Sequence, residues 1–251
     1  MGTQRLGLWG GEPLIRDDIG EIITYSKAKG MYVTMDTNGH LLPSRIDAIR
    51  GIDHVVIGFD GPEEIHNRNR GEGTFEKVIK AFEAGNGILK LWTITVLTKE
   101  NIGHIDDILD TADKYKLLTT FQVVHHNDFL GKEVAGFIPS KEEYQQAIRH
   151  LIKRKEQGAP IVSSYNYLNY LLKWDDFSVP MKETMVNNLK CWAGKLYCNV
   201  DTDGKVYPCS LLIEKMEALN FLDVGFKKAF DHIKEISCKS CDASCFTEYN
   251  Y

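Results

Sequence analysis

The chain has 251 residues, with 30 basic and 35 acidic side chains and a formal net charge of −5 when histidine is neutral. A hydrophobic share of 43% and a charged share of 26% are ordinary for a globular chain and exclude disorder as its main state. No apolar run reaches the roughly 18–20 residues of a membrane-spanning helix, and mild acidity without a basic cluster argues against nucleic acid as a partner. Because the sequence starts without the layout of a signal peptide, we expect a cytoplasmic protein that binds neither membrane nor nucleic acid.

Residues 5–125 alternate short apolar runs with helical hydrophobic patterns. The patterns predict helices at 17–30, 44–49, 75–82 and 102–115, and strands at 6–9, 32–37, 54–57, 88–97 and 117–124. Such alternation is typical of parallel strands joined by crossover helices, so the predicted fold class is α/β. Ligands of these folds bind at the carboxyl ends of the strands, which is where chemistry should be sought.

Beyond residue 139 the alternation of apolar runs and helical patterns ends. Ser140 and Glu143 form a capping box that opens a helical region, and the aromatic-rich stretch 165–172 is predicted to pack against the larger domain rather than to line a substrate site. Asp203-Gly204 lies between two β-type runs and predicts a hairpin over 197–208. We therefore expect a barrel-like core over 1–139, a helical connection over 140–188 and a cysteine-rich module over 189–251.

The first predicted strand ends in Gly10-Gly11-Glu12-Pro13. Two glycines let the backbone approach a ligand without a Cβ in the way, and Pro13 fixes the exit of the turn. Bare carbonyls beside the Glu12 carboxylate suit a positively charged amine and are ill suited to phosphate. The dinucleotide pattern G-x-G-x-x-G is not met. Taken alone, the motif is also compatible with an ordinary strand–helix turn.

Polar residues follow the other strands as well. Thr37-Asn38-Gly39 ends the second strand, and Asp60-Gly61-Pro62 follows the third, with His66, Arg70 and Phe75 after it. Read without context, Asn38 and Asp60 are turn residues and Arg70 is a surface charge.

Two histidines, His125 and His126, follow the last strand, and at most one of them can face a site there because adjacent residues on a strand point to opposite faces. A solvated loop histidine is the favoured interpretation.

Six cysteines mark the end of the chain, and none lies in the first 190 residues. They are separated by 6, 10, 28, 2 and 3 intervening residues: Cys191, Cys198, Cys209, Cys238, Cys241 and Cys245. Because nothing suggests export, metal binding is favoured over disulfides. Spacing alone leaves zinc and iron–sulfur equally open, and six thiols fall short of the eight needed for two fully cysteine-ligated cubanes.

The ordered strand-end motifs resemble those of the radical S-adenosylmethionine (radical SAM) enzymes over about residues 5–125. The resemblance implies a partial (β/α)6 TIM-like barrel in which Gly10, Gly11, Glu12 and Pro13 hold the methionine amino group. It also implies that Asn38 reaches the cofactor, that the region of Asp60 lies near the ribose and that Arg70 faces the methionine carboxylate. One departure is Gly58, where many relatives have a serine, because glycine leaves only backbone for a ribose contact.

The cysteine-rich end resembles the SPASM and shortened twitch modules that hold auxiliary clusters. By that resemblance, one [4Fe–4S] cluster has the favoured ligands Cys191, Cys209, Cys238 and Cys241. A SPASM-like arrangement would recruit Cys198 instead and use Cys245 as the fourth ligand. Both alternatives stay open at this stage.

A second departure concerns the Cys-x3-Cys-x2-Cys loop that binds the radical-generating cluster in this family, since no cysteine precedes Cys191. We expect a chain truncated before its first strand, with that cluster present only in the full-length protein; the alternative is a non-catalytic or zinc-binding relic. Whether this chain is itself an enzyme is left open. For the intact enzyme, the resemblance implies hydrogen abstraction by a 5′-deoxyadenosyl radical, a peptide or protein substrate, and an electron donor such as flavodoxin or ferredoxin.

Overall fold

A computed structural model describes residues 2–125 and 132–248. Its main feature is a five-stranded sheet in which the strands follow one another in chain order. The strands are β1 (Arg5–Leu8), β2 (Tyr32–Thr37), β3 (His54–Gly58), β4 (Leu91–Leu97) and β5 (Leu118–Val123). The first four pair in parallel. The predicted α/β class and the five predicted strands are confirmed.

Helices connect these strands, as crossover connections between parallel strands require. They are α1 (Ile19–Ala28), α2 (Leu42–Arg45), α3 (Glu63–Arg70), α4 (Thr74–Gly85) and α5 (Ile105–Lys114). In α4, Val78, Ala81 and Phe82 are buried at helical spacing, which gives this helix its apolar face. The strand predicted from residue 88 begins only at Leu91, because the N–H groups of Ile88 and Leu89 both bond to the carbonyl of Gly85 and close the end of α4.

The two faces of the sheet differ in burial. Alternate residues of β4 are fully and partly buried, so that Thr93 belongs to the buried face and Trp92 to the half-buried one. Trp92 stacks on His54 with 4.3 Å between the ring centroids. Strand register places Asp36 beside Val56 on that same half-buried face.

The remaining elements are mostly short. They are α6 (Lys141–Glu156), α7 (Tyr165–Leu171), β6 (Met181–Lys182), β7 (Asn199–Val200), β8 (Val206–Tyr207), α8 (Phe221–Val224), α9 (Phe226–His232), β9 (Ser240–Cys241) and α10 (Ser244–Glu248). The predicted capping box is formed: Glu143 Oε2 accepts from the Ser140 N–H at 2.7 Å, and Ser140 Oγ accepts from the Glu143 N–H at 3.2 Å. The predicted hairpin is the antiparallel pair β7–β8, and β6 pairs with β9.

Two compact units divide the chain. One comprises residues 1–122 and 149–163, and the other comprises residues 123–148 and 164–251. The three segments 1–139, 140–188 and 189–251 remain a prediction. Within the described residues, no helix is both long enough and apolar enough to cross a membrane.

Candidate functional site

The end of β1 is tied to the end of β2 through one carboxylate. Glu12 Oε1 accepts from Thr37 Oγ1 at 2.7 Å and from the Leu14 N–H at 3.0 Å, while Oε2 accepts from the Asn38 N–H at 2.8 Å. Pro13 begins the short 3₁₀ turn that Glu12 caps, where its missing N–H costs no hydrogen bond. Glu12 therefore fixes two adjacent strand ends relative to each other.

The glycines beside this carboxylate are open to a ligand. Gly10 and Gly11 are exposed, and a Cβ on either would meet no heavy atom within 4 Å. Gly10 has a φ of +134°, a backbone conformation that other residues rarely adopt. The strand end thus presents accessible backbone next to a held carboxylate, as the amine-binding interpretation requires.

Asn38 forms a tight turn of its own. Its side-chain oxygen accepts from the His40 N–H at 2.9 Å, and Gly39 follows with a φ of +79°. The His40 ring lies in the same region, since burial and the charges of Lys77 and Arg70 lower its pKa while Glu12 raises it. No sequence motif includes His40; its position two residues beyond a strand-end asparagine was the available signal.

At the end of β3, Asp60 and Arg70 form a forked ion pair. Arg70 Nε donates to Asp60 Oδ2 at 2.7 Å and Arg70 Nη2 donates to Oδ1 at 3.1 Å. The Asp60 side chain is 7% exposed and that of Arg70 is 30% exposed. The guanidinium lies against Gly58: a Cβ there would be 2.6 Å from Arg70 Cζ. Glycine at position 58 therefore makes room for the arginine.

His66 contacts the backbone of this ion pair. Its Nδ1 accepts the backbone N–H of Asp60 at 3.2 Å, and its ring lies 5.6 Å from Phe59 and 6.0 Å from Phe75 between centroids. Burial lowers the pKa of His66 to about 4, so the ring is neutral and can accept at Nδ1. The Asp-Gly-Pro…His…Arg motif thus forms one packed cluster around the ion pair.

On the half-buried face of the sheet, Asp36 is a second acidic group that sequence reasoning missed. Its side chain is exposed, yet surrounding groups desolvate it and raise its pKa to about 6, with Arg5 acting in the opposite direction. The strict alternation along β2 was the signal that could have placed it on the face opposite Val33 and Met35.

His125 is less exposed than predicted. Its side chain is 22% exposed, and Nε2 lies 3.5 Å from Oδ1 of the fully buried Asp242. Burial lowers the pKa of His125 to about 4 and raises the pKa of Asp242, because it disfavours the charged form of each group. The interpretation as a solvated loop histidine is wrong for His125, because the ring packs over a buried carboxyl group; His126 lies outside the described residues.

Five of the six cysteines converge. Burial raises the pKa of the Cys209 thiol to about 12, with further increases from Cys245 and Cys238. Burial also raises the pKa of Cys241, where Cys245 and Cys191 add to it. Because such effects decline with distance, these thiols lie near one another.

The sixth thiol is separate. Cys198 packs against the hydrophobic cluster of Val206, Ala229 and Ile233, and burial alone raises its pKa. Of the two alternate ligands, the structure therefore groups Cys245 with the others and leaves Cys198 apart.

The convergent thiols suit iron–sulfur or zinc by their chemistry. All six cysteines are free, and the raised pKa values of Cys209, Cys238, Cys241 and Cys245 mean that a metal bound by these thiols would displace protons. In the described part of the chain, no three His, Cys, Asp or Glu side chains already stand in metal-binding geometry. The cysteines therefore supply donors of a suitable chemical type, and the described side chains are not arranged around a metal position.

Aromatic side chains of α7 hold the cysteine segment. The Tyr170 hydroxyl donates to the carbonyl of Cys241 at 3.1 Å, and the Tyr167 hydroxyl donates to the carbonyl of Asp242 at 3.3 Å. The aromatic-rich helix therefore holds the backbone of the segment that carries Cys241, and its packing against the larger domain remains a prediction.

Tyr197, which sequence reasoning missed, stands among these thiols. Its hydroxyl donates to Cys245 Sγ at 3.6 Å. Burial raises the pKa of this hydroxyl, and Cys245, Cys191 and Cys209 raise it further, so it remains a hydrogen-bond donor. Its position next to Cys198 was the only sequence signal.

Residues 1–112 match the model of the Radical SAM superfamily. The chain is similar to the mycofactocin maturase MftC of Mycolicibacterium smegmatis, at 26% identity over 96% of this chain and 62% of that protein. It is also similar to the AdoMet-dependent heme synthase of Methanosarcina barkeri, at 29% identity over 84% of this chain and 64% of that protein. The chain thus spans less than two thirds of the length of these relatives.

Two solved structures share the fold. Native anSMEcpe with bound AdoMet matches with a TM-score of 0.69 at 21% identity, covering 92% of this chain and 68% of that chain. Streptococcus suis SuiB bound to its precursor peptide SuiA matches with a TM-score of 0.65 at 14% identity, covering 97% of this chain and 60% of that chain. The model of the Radical SAM superfamily thus matches the part of the chain that carries β1 to β4 and their strand-end motifs.

Proposed function

We propose that this chain contributes the S-adenosylmethionine-binding sheet and an auxiliary [4Fe–4S] module to a radical SAM enzyme that modifies a peptide or protein. The observation that carries the proposal is the convergence of five thiols in a chain whose first strand ends in open glycines and a held carboxylate. The relatives support the substrate class, since one is a maturase and another structure holds a precursor peptide.

Different residues at the strand ends bind different parts of S-adenosylmethionine. Backbone carbonyls of Gly10 and Gly11, with Glu12, accept the ammonium group, and the Glu12 tie keeps the Asn38 turn beside it. The Asp60–Arg70 pair presents a guanidinium edge toward an anionic or hydroxyl-bearing part of the cofactor. When reduced at its own [4Fe–4S] cluster, S-adenosylmethionine supplies a 5′-deoxyadenosyl radical that abstracts hydrogen.

For the auxiliary cluster, we propose four ligands from the five convergent thiols. Cys191, Cys209, Cys238 and Cys241 are the favoured set, and Cys245 is the supported alternate. Because every cysteine of the sequence lies after residue 190, the radical-generating cluster is assigned to the full-length enzyme. Free thiols at this density suit a reducing compartment, so we propose that the protein is cytoplasmic. We also propose a flavodoxin or ferredoxin as its electron donor.

Metal content after anaerobic reconstitution tests the auxiliary cluster. We expect iron and sulfide in equal amounts, with a brown colour, and a loss of both in Cys241→Ser. Cys198→Ser is the matched control and should keep them. A colourless protein with stoichiometric zinc would instead support the zinc-binding relic, since four thiolates also suit tetrahedral zinc.

Binding of S-adenosylmethionine to the reconstituted chain, followed by calorimetry, tests the strand-end site. Glu12→Gln should weaken binding at least tenfold, because it removes the negative charge facing the ammonium. Glu21→Gln on α1, where Glu21 is exposed, is the control and should bind like the unmodified chain. Equal affinity in both variants would contradict the assigned site, and circular dichroism would show whether each variant is folded.

A further inference from the structure

The position of Tyr197 is fixed by the turn before it. The Gly194 N–H donates to the carbonyl of Tyr197 at 2.9 Å, and Ala193 and Tyr197 form a parallel bridge. Gly194 has a φ of +70°, and a Cβ on it would clash with the carbonyl of Ile233. The backbone that carries the phenol is therefore held by packing as well as by hydrogen bonds.

The thiol that accepts from Tyr197 is held equally well. Cys245 lies in α10, and the next residue, Phe246, is 1% exposed. The ring of Phe246 lies 5.6 Å from that of Tyr170 between centroids. Because both partners are anchored, the 3.6 Å contact between Tyr197 Oη and Cys245 Sγ joins two fixed parts of the module.

Tyr197 lies close to more than one ligand candidate. Besides Cys245, the thiols of Cys191 and Cys209 also act on its hydroxyl electrostatically. These three cysteines come from three separate segments of the chain, so thiols of three segments lie near the hydroxyl.

We propose that the Tyr197 hydroxyl is the outer hydrogen-bond donor to the auxiliary cluster, acting on the sulfur of Cys245 and raising the reduction potential of that cluster. The inference rests on the proposed function and on its alternate ligand set, because it requires an iron–sulfur cluster in which Cys245 replaces one of the four favoured ligands. Tyr197 is thus a positioning residue that acts through a ligand.

The direction of the effect follows from charge. A ligand thiolate gains electron density when its cluster is reduced, and an O–H donor stabilises that density. Removing the donor therefore disfavours the reduced cluster and makes its potential more negative. Phenylalanine keeps the ring and its packing and removes only the hydroxyl.

Tyr170 provides a matched control. Its hydroxyl also bonds to a ligand residue, but to the backbone carbonyl of Cys241 and not to a sulfur. Tyr170→Phe therefore removes the same group from the same module without removing a donor to the thiolate.

The test is a dye-mediated redox titration of the reconstituted chain, followed by electron paramagnetic resonance of the reduced cluster. Tyr197→Phe should retain the iron content and show a more negative reduction potential. Tyr197→His should show a smaller shift in potential than Tyr197→Phe, because histidine supplies another donor. Tyr170→Phe should have the same potential as the unmodified chain. In Cys245→Ser the potential and resonance should change.

Three results would overturn the inference while leaving the proposed function intact: no shift in Tyr197→Phe, equal shifts in both phenylalanine variants, or an unchanged cluster in Cys245→Ser. A Tyr197→Phe protein that fails to fold leaves the His and Cys245 variants to decide. An unmodified chain that takes up no iron overturns both proposals.

Discussion

Replacing Gly58 with alanine perturbs the strand-end cluster in a way that can be worked out from the structure. The backbone of Gly58 does not have a positive φ, so alanine is tolerated there conformationally. Its methyl group, however, would lie 2.6 Å from Arg70 Cζ and 2.7 Å from Nη2, well inside van der Waals contact. Since the guanidinium is the flexible end of its side chain, it moves away and breaks the fork with Asp60.

The loss of stability follows from the solvent exposure of Asp60 and Arg70. Asp60, 7% exposed, loses two charge-assisted hydrogen bonds, while Arg70, 30% exposed, can turn toward water. Hydrogen bonds to charged groups contribute about 1.5–3 kcal/mol each, and leaving a buried charge unpaired costs about 3–5 kcal/mol. Allowing for partial access of water to the displaced partners, we expect Gly58→Ala to lower the free energy of unfolding by about 2–3 kcal/mol.

A double-mutant cycle with Arg70→Ala isolates this effect. Urea unfolding of the single and double variants should show that Gly58→Ala costs less than about 0.5 kcal/mol once Arg70 is absent, because nothing remains to be displaced. If alanine costs as much in the Arg70→Ala background as in the unmodified chain, the guanidinium does not occupy the space over Gly58 and the reasoning is refuted.

The other predictions concern ionisation and the separate thiol. Asp36→Asn should reduce the loss of stability with rising pH: desolvation by the surrounding groups raises the folded-state pKa to about 6 from 3.8, so the stability that this group contributes is complete below the lower value and is lost as the pH rises through the higher one. Urea midpoints measured on both sides of that window check it, and an unchanged slope would contradict it. His54→Gln should reduce acid sensitivity, because burial lowers the pKa of His54 from 6.5 to about 4 and the associated stability is lost as the pH falls through that interval; a denaturation series in acid would show the difference. Cys198→Ser should lower the melting temperature slightly, since it puts a hydroxyl against the cluster of Val206 and Ile233, while iron uptake is kept; a loss of iron would place Cys198 in the ligand set.

The sequence was sufficient to predict which residues gather at the strand ends, because parallel strands bring successive carboxyl ends to one edge. It was not sufficient to predict their pairings. Gly58 looked like the loss of a ribose contact, whereas the structure shows it as the space that Arg70 fills. That relation joins residues 12 positions apart through a helix whose orientation no periodicity specifies.

The same limit applied to the cysteines. The resemblance left Cys198 and Cys245 outside the favoured ligand set and used both of them in the SPASM-like alternative. Their difference is three-dimensional: Cys198, just before β7, packs against a hydrophobic cluster, and Cys245 on α10 contacts Tyr197. The direction of a side chain beside a two-residue strand cannot be derived from so short a pattern.

The tie at Glu12 restricts how an amine can be bound. A carboxylate offers about four acceptor positions, and the Leu14 N–H, Thr37 hydroxyl and Asn38 N–H already occupy three of them. An incoming ammonium brings three donors, so Glu12 can satisfy about one of them. The other two N–H donors of the ammonium must be met by main-chain oxygens. The conformation of the Gly10–Gly11 peptides therefore discriminates a primary ammonium from an N-methylated one more than the acidic side chain does.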